Sequence, residues 1–414
     1  MEQEISTGEI RQAVREYMAG HDSLADVRAV AAASQPTVGQ PTAGQPTAGQ
    51  PTGAPPAPVP PPFDPDVWRG MARDLGAGGL AVPVGYGGLG LGLQAVTGAL
   101  FEAGRVLYPG PLRSTIAAAV ALSAAAAGAD VGQADVGQPA ATALTAIASG
   151  AATAALAVPA ADVGGGCGVT ADGPLLRGTA RVVPHGASAD LLVAVGAAAG
   201  RPALILVSPT DLATAARVIL AGADFSCGYA DIVLDAVPGT VVSADPATVA
   251  RVLDLAQVLT AAEQVGTAAG ALSRTLDYLK VREQYGRPIG AYQAVQHRCA
   301  DLAVHIEAAS ALVELAAAAA DGGDGELLAR VGLLARAAAS EVSVAAADAM
   351  VHLHGGIGFT WEHEAHLFFR RARTTASWFG TVPQLRAEAA RRDCFALITQ
   401  WAGAEALDGA KPLI

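Results

Sequence analysis

The sequence predicts an α+β multi-domain protein with an N-terminal helical domain (1–127), a small middle β-domain (142–242) and a C-terminal antiparallel helical bundle (243–402). Three observations carry this prediction. Apolar residues recur at helical spacing in the first part of the chain, and short β-branched runs separated by turn residues fill the middle. Helical spacing then returns and persists almost to the end. At 414 residues, 52% hydrophobic and 15% charged, the chain is long enough to bury more than one core.

Taking the elements in order, IRQAVREYM reads as the first helix. From Gln35 the pentad QPTxG repeats through Thr52 and runs into a proline-rich stretch ending near Pro62. Such a composition buries too little apolar area to offset its ordering entropy, so 33–62 is expected to be a disordered insertion. Two more helices are read in DPDVWRGMARDLG and, after a glycine-rich loop, in LQAVTGALFEAGRVL. A second repeat, GADVGQADVGQPAA, reads as a surface linker over 128–141. In the β-domain, ARVVP, LLVAV, ALILV and DIVL read as strands.

Asp245 is a plausible N-cap with Pro246 in the first turn, and the next proline is Pro288, so one long helix is expected to reach about Lys280. Helices are expected at roughly 293–320, 326–353 and 362–376, with a last one after Pro383 and a tail at 403–414.

Composition also excludes whole classes of function. The net charge is −12 and there is no Lys/Arg-rich run, so no cationic face exists to displace counterions from nucleic acid. The apolar fraction is mostly alanine. No stretch is read as the ~18–20 strongly apolar residues of a membrane span. The first residues carry acids and lack an uninterrupted apolar core, so a secretory signal is not expected and a cytoplasmic location is. Cys167, Cys227, Cys299 and Cys394 lack CxxC spacing, which suits reduced packing thiols better than disulfides or zinc.

Two short motifs invite chemistry and are read as structure. GYGGLG, Gly85 to Gly90, matches the GxGxxG dinucleotide pattern, but Pro83 sits in the would-be strand and no βαβ alternation follows. His363 and His366 in HEAH are three apart rather than four, and no third ligand is evident, so no metal site is assigned.

The informative stretches are VREQYGRPIGAYQAVQHRCADLA from Val281 and LHGGIGFTWEHEAHLFFRRAR from Leu353. They resemble the carboxy-terminal signatures of acyl-CoA dehydrogenases: R-x-x-F/Y-G with a glutamine seven residues beyond the glycine, and an HGGxGFT turn. LGAGGLAVPVGYGGLGLG and EAGRVLYPGPLRST are similar to the N-terminal part of that family. The resemblance implies its helix, sheet, helix fold and its reaction, the FAD-dependent α,β-desaturation of an acyl-CoA thioester. Electron-transfer flavoprotein is the implied acceptor, and FAD is implied to be held between two subunits.

On that resemblance, the FAD contacts lent across the interface are Arg282, Tyr285, Gln293, His352, Gly355 and Gly356. Guanidinium suits the pyrophosphate, Gln293 offers amide hydrogen bonds and Tyr285 a flat apolar face, and the paired glycines admit backbone close to the adenine side. His352 stands where relatives often have glutamine. Contacts made within one subunit fare worse: the loop that would meet the flavin reads LAVPAADVGGGCG without threonine or serine, and Val182 and Pro184 replace a tryptophan and a threonine. The two usual positions of the catalytic glutamate hold Phe379 and Ala256.

Glu263 lies seven residues from Ala256 on the same helix face, about 10 Å along the axis, and is the candidate for a shifted base. Its structural alternative is an arginine partner or a helix-surface carboxylate, and Asp254 is less favoured because it points to another face. The selective loss suggests a subunit that completes the FAD site of a homologous catalytic partner, as resembling bacterial members do in heterotetramers acting on bulky steroid side chains. A stand-alone dehydrogenase, a flavin enzyme for amines or carrier-bound acyl groups, and a non-enzymatic assembly subunit are the alternatives.

Overall fold

A computed structural model describes residues 7–21, 23–33, 63–127, 134–159, 168–220 and 222–392. The QPTxG segment from residue 34, Cys167, Cys394 and the tail lie outside the described residues. The architecture is the expected one, an N-terminal helical part, a small sheet and a C-terminal helical bundle.

The N-terminal part consists of α1 (Thr7–Ala19), α2 (Ser23–Ala33), α3 (Pro65–Leu75), α4 (Leu93–Arg105), α5 (Leu112–Ala127) and α6 (Ala134–Ala148). Asp64 caps α3 by accepting from the Asp66 amide, with Pro65 at its first position. Helix α6 begins inside the segment read as a linker. Ala140, Ala143, Leu144 and Ile147 recur at helical spacing and are buried, which outweighs the turn-like look of the repeat; 128–133 lie outside the described residues. The GYGGLG stretch forms a loop that packs on its own chain, with Leu89 and Gly90 amides donating to Gly79 and Val82 carbonyls.

An eight-stranded sheet follows. Its strands are β1 (Ala154–Ala157), β2 (Val169–Asp172), β3 (Leu175–Val183), β4 (Leu191–Ala198) and β5 (Arg201–Val207). After the one-turn helix α7 (Pro209–Leu212) come β6 (Ala216–Ile219), β7 (Ala230–Pro238) and β8 (Thr240–Ser243). The order is β6-β7-β3-β2-β4-β5-β8, and β1 runs parallel to β4 in tandem with β2. Between β1 and β2, most of the loop read as the flavin-facing one, 160–167, falls outside the described residues.

The bundle is built on α8 (Pro246–Val281). Asp245 accepts from the Ala247 and Thr248 amides at 3.2 and 2.9 Å, as an N-cap should. The hairpin β9 (Glu283–Gln284) and β10 (Arg287–Pro288) leads to α9 (Gln293–Asp321) and α10 (Gly325–His354). A 3₁₀ turn (Gly355–Phe359), α11 (Ala365–Thr375) and α12 (Val382–Arg391) complete it. Against the sequence expectation, α9 is long and apolar enough by composition to cross a membrane. In this chain it packs along α8 and α10, burying Leu302, Ile306, Ala309, Val313 and Ala316 in a seam.

Helices α4 and α8 cross with backbones nearly touching. A Cβ at Gly104 would lie 2.1 Å from the Glu263 carbonyl, one at Gly266 2.0 Å from Phe101 O, and one at Gly270 2.2 Å from Arg105 O. Backbone cannot yield as a side-chain tip can. Gly270→Ala is therefore expected to cost about 1–3 kcal/mol by forcing the helices apart, read as a lower urea midpoint.

Candidate functional site

The two signature segments meet at one end of the bundle. Helix α8 ends at Arg282, and the Ile289 amide donates back to the Arg282 carbonyl at 2.8 Å, closing the hairpin. At its tip Tyr285 and Gly286 hold φ of 53° and 79°, the paired left-handed residues of a type I′ turn. Tyr285 is 94% exposed, so its ring neither packs on the chain nor explains the strained backbone it occupies. Gln293 opens α9 behind Tyr292, which supplies no side-chain cap to the first amides.

Helix α10 stops at Gly355 with φ 64° and ψ −141°, a region that only glycine enters readily. A Cβ at Gly355 or Gly356 would meet nothing within 4 Å, so the turn faces open space. The Tyr278 ring stacks on His354 at 4.3 Å, and its hydroxyl donates to the His354 carbonyl at 3.5 Å. That contact ties the last turn of α8 to the residue preceding Gly355, so segments about seventy residues apart converge. Arg282, Tyr285, Gln293, His352, Gly355 and Gly356 are all exposed, and the Arg282 guanidinium has no hydrogen bond among the described residues.

The two positions read from the sequence as those of the usual glutamate, Ala256 and Phe379, lie elsewhere. Ala256 is buried on α8, and the Gln257 amide donates to the Phe379 carbonyl at 3.3 Å, joining α8 to the α11–α12 loop. Phe379 has φ 55°, an uncommon conformation for a bulky residue. Beside it lies a cleft of about 380 Å³ lined by Leu253, Asp254, Gln257, Phe379, Gly380 and Glu388, among others.

Asp254, not Glu263, is the α8 carboxylate on this cleft. The helical wheel places it on another face from Ala256 and Glu263, and α12 and the Phe379 loop come round to meet that face. Arg392 holds Asp254 Oδ1 at 2.7 Å, yet burial lifts the carboxyl above its ordinary value.

Glu263 is an arginine partner. Its Oε2 receives Arg113 Nε from α5 at 2.7 Å and its Oε1 receives Arg371 Nη1 from α11 at 2.8 Å, all three side chains being buried. Burial alone would raise its pKa, but Arg113 and Arg371 outweigh that and hold it below the usual carboxylate value. A carboxylate with both oxygens engaged and a depressed pKa is a poor proton acceptor.

Around this pair the cluster extends. Arg371 Nε lies 2.9 Å from Asp224 Oδ2, Tyr229 donates to the same oxygen at 3.1 Å, and Arg113 covers the Trp378 ring at 4.1 Å. Arg336 is also fully buried. It has no carboxylate partner among the described residues but donates to the Thr375 and Trp378 carbonyls at 2.6 and 2.8 Å, where α11 ends and its dipole is negative. Sequence reasoning missed Arg113, Arg336, Arg371 and Asp224; the available signal was an arginine inside an otherwise apolar run, as in GLLARAAAS.

His185 belongs to the same cluster as a neutral base. Its Nε2 donates to the Pro109 carbonyl at 2.9 Å, which leaves Nδ1 to accept from Ser114 Oγ at 2.8 Å. Burial first, then Arg113 and Arg371, takes its pKa down to about 4. The unfolded imidazole titrates near ~6.5, so between that pH and about 4 the unfolded chain binds the extra proton. This contribution is fully present above ~6.5 and is expected to fall by about 1.4 kcal/mol per pH unit on acidification. Urea midpoints at pH 7.5 and 5, compared with those of His185→Gln, check it.

Among the described residues no group of three metal-type side chains converges, and Cys227 and Cys299 are buried thiols.

Comparison with known proteins agrees with this fold. The family model for the acyl-CoA dehydrogenase C-terminal domain matches residues 247–393, which is the bundle. The acyl-CoA dehydrogenase IpdE2 of Mycobacterium tuberculosis is 34% identical over 317 residues, 76% of this chain and 82% of that relative. Acyl-CoA dehydrogenase FadE34 of the same organism is 34% identical over 321 residues, again 76% of this chain but 41% of FadE34's own length. Among solved structures, a variant of the Tcur3481-Tcur3483 steroid ACAD superposes with a TM-score of 0.74 and 29% identity, covering 96% of this chain and 98% of that one. Helical cap, sheet and bundle thus carry the fold of an oxidoreductase class built around flavin. The chain belongs to the acyl-CoA dehydrogenase family.

Proposed function

We propose that this chain is a subunit of an FAD-dependent acyl-CoA dehydrogenase, and that it completes the FAD site of a homologous partner bearing the catalytic glutamate. The observation that carries this reading is a mismatch within one chain. The exposed set of Arg282, Tyr285, Gln293, Gly355 and Gly356 keeps the strained turns that present it, whereas Phe379 and Ala256 occupy the base positions.

The donor set suits a flat, anionic group held by another polypeptide. Arg282 offers a two-pronged donor for phosphate, the uncapped start of α9 adds amide dipoles, and the Gly355–Gly356 turn admits close backbone. FAD, when bound, accepts hydride from the carbon β to the thioester. The share of this chain is to hold the dinucleotide end and to close the partner's site.

Glu263 as a shifted base is disfavoured because its two oxygens are committed to arginines. One observation favours a second reading, a stand-alone dehydrogenase: Asp254 faces the cleft beside Phe379 with a raised pKa, as a general base would. Under that reading Asp254→Asn abolishes turnover by the chain alone. The substrate class proposed is a bulky acyl-CoA such as a steroid side chain, in line with the description of the Tcur3481-Tcur3483 relative, and the proposed electron acceptor is electron-transfer flavoprotein.

Coexpression with a family member that has the glutamate tests the proposal. A yellow complex with one flavin per unlike pair and acyl-CoA turnover is expected. Unchanged turnover when this chain is left out would contradict it.

A further inference from the structure

We propose that the Gly355–Gly356 turn is held in place by a stack of neutral imidazoles and is released reversibly by acid, which would withdraw it from the partner's cofactor. The device rests on the geometry of this chain; its consequence rests on the function proposed above.

His354, the last residue of α10, is buried between two rings. Tyr278 of α8 lies 4.3 Å away on one side, and His363 lies 4.3 Å away on the other. His354 Nδ1 donates to the Met350 carbonyl at 2.7 Å, fixing its proton there. His363 Nδ1 accepts from the Ala365 amide at 3.1 Å and so holds the first turn of α11. One turn on, His366 packs edge-on to Trp361 at 4.6 Å, its Nδ1 buried without a hydrogen-bond partner. The three imidazoles therefore clamp both ends of the segment that carries Gly355 and Gly356.

The surroundings weigh against added positive charge. The imidazoles face Arg28 from α2 and Arg370 on α11, with Arg274 of α8 close by. The acid they face is Glu364, already committed to Arg28 at 3.1 Å and Arg274 at 2.7 Å. Arg370 lies over Trp361 and donates to the Ala223 carbonyl. A proton on His363 Nδ1 would destroy the acceptor for Ala365, set a cation at the positive end of the α11 dipole, and face His354 at stacking distance.

Burial, the largest cause at each, lowers the pKa of His354, His363 and His366, the last to about 4. An opened turn would titrate near ~6.5, so every coupled proton favours the open form about tenfold per pH unit below that value.

Amide hydrogen exchange on the full chain alone, at pH 7 and pH 5 and corrected for intrinsic rates, reads the latch. Protection over Ala365–Phe368 is expected to fall at least about tenfold relative to the middle of α9. His363→Asn retains an oxygen to accept from Ala365 but cannot take the proton, so its fall should be smaller by the share of that one proton, at most about thirtyfold at pH 5. Equal protection at both pH values, or an equal fall in His363→Asn, would overturn the proposal.

Should that variant fail to fold, imidazole proton resonances of the unaltered chain decide the matter. Midpoints clearly below 6 for at least two of the assigned His354, His363 and His366 resonances support the latch, and midpoints near ~6.5 for these three refute it. None of these measurements involves a partner, so the latch can fail while the proposed function stands. In the mixed complex, flavin release on moving from pH 7 to 5 should be several-fold greater than in its His363→Asn counterpart.

Discussion

Glu263→Gln is expected to destabilise the chain by about 3–5 kcal/mol, a loss large enough to lower the urea midpoint sharply or to leave the protein insoluble. The carboxylate joins three parts of the fold: Arg113 comes from the N-terminal helices, Arg371 from the bundle, and Arg371 reaches Asp224 in the β6–β7 loop. Removing its charge leaves Arg113, Arg371 and Arg336 buried together with Asp224 as the remaining acid. Breaking one side of a buried pair exposes the full desolvation cost of the other. Replacing both sides by apolar groups does not, so Glu263→Leu with Arg113→Met should recover much of the loss, a non-additivity that a double-mutant cycle measures. A catalytic Glu263 predicts the opposite pattern, with turnover lost and stability little changed.

Arg282→Ala is expected to weaken flavin retention in the mixed complex by about 10- to 100-fold. Charge-assisted hydrogen bonds contribute about 1.5–3 kcal/mol, and each 1.4 kcal/mol is a decade in affinity. The melting temperature of the chain by itself should not move, because the exposed guanidinium has no described partner to lose. Arg282→Lys should restore only part of the affinity, since an ammonium cannot bond two phosphate oxygens side by side. Flavin dissociation constants from fluorescence, with melting curves beside them, check both halves.

Much of the fold was legible because its signals are local. Asp245 and Pro246 start α8 through a cap and a fixed φ, and β-branched runs bounded by turn residues gave β3, β4, β5 and β7. The signature segments were legible through their resemblance to a family, and the structure shows Gly286 and Gly355 holding positive φ in their turns.

The polar core was not legible. Arg113 and Glu263 are 150 residues apart, and no helical wheel drawn on one element shows what another element brings to it. The same limit hid what Asp254 meets on its own face, because its surroundings are set by α12 and the Phe379 loop rather than by its own helix. Helix α6 was hidden by a repeat whose glycines suggested a linker, although its buried face begins within that repeat at Ala140.

The most direct test of the central claim is the flavin absorbance of this chain purified without a partner, after incubation with excess FAD and removal of unbound cofactor. A colourless protein that desaturates no acyl-CoA is expected. A stoichiometric yellow chain with turnover of its own would contradict it and would turn attention to Asp254.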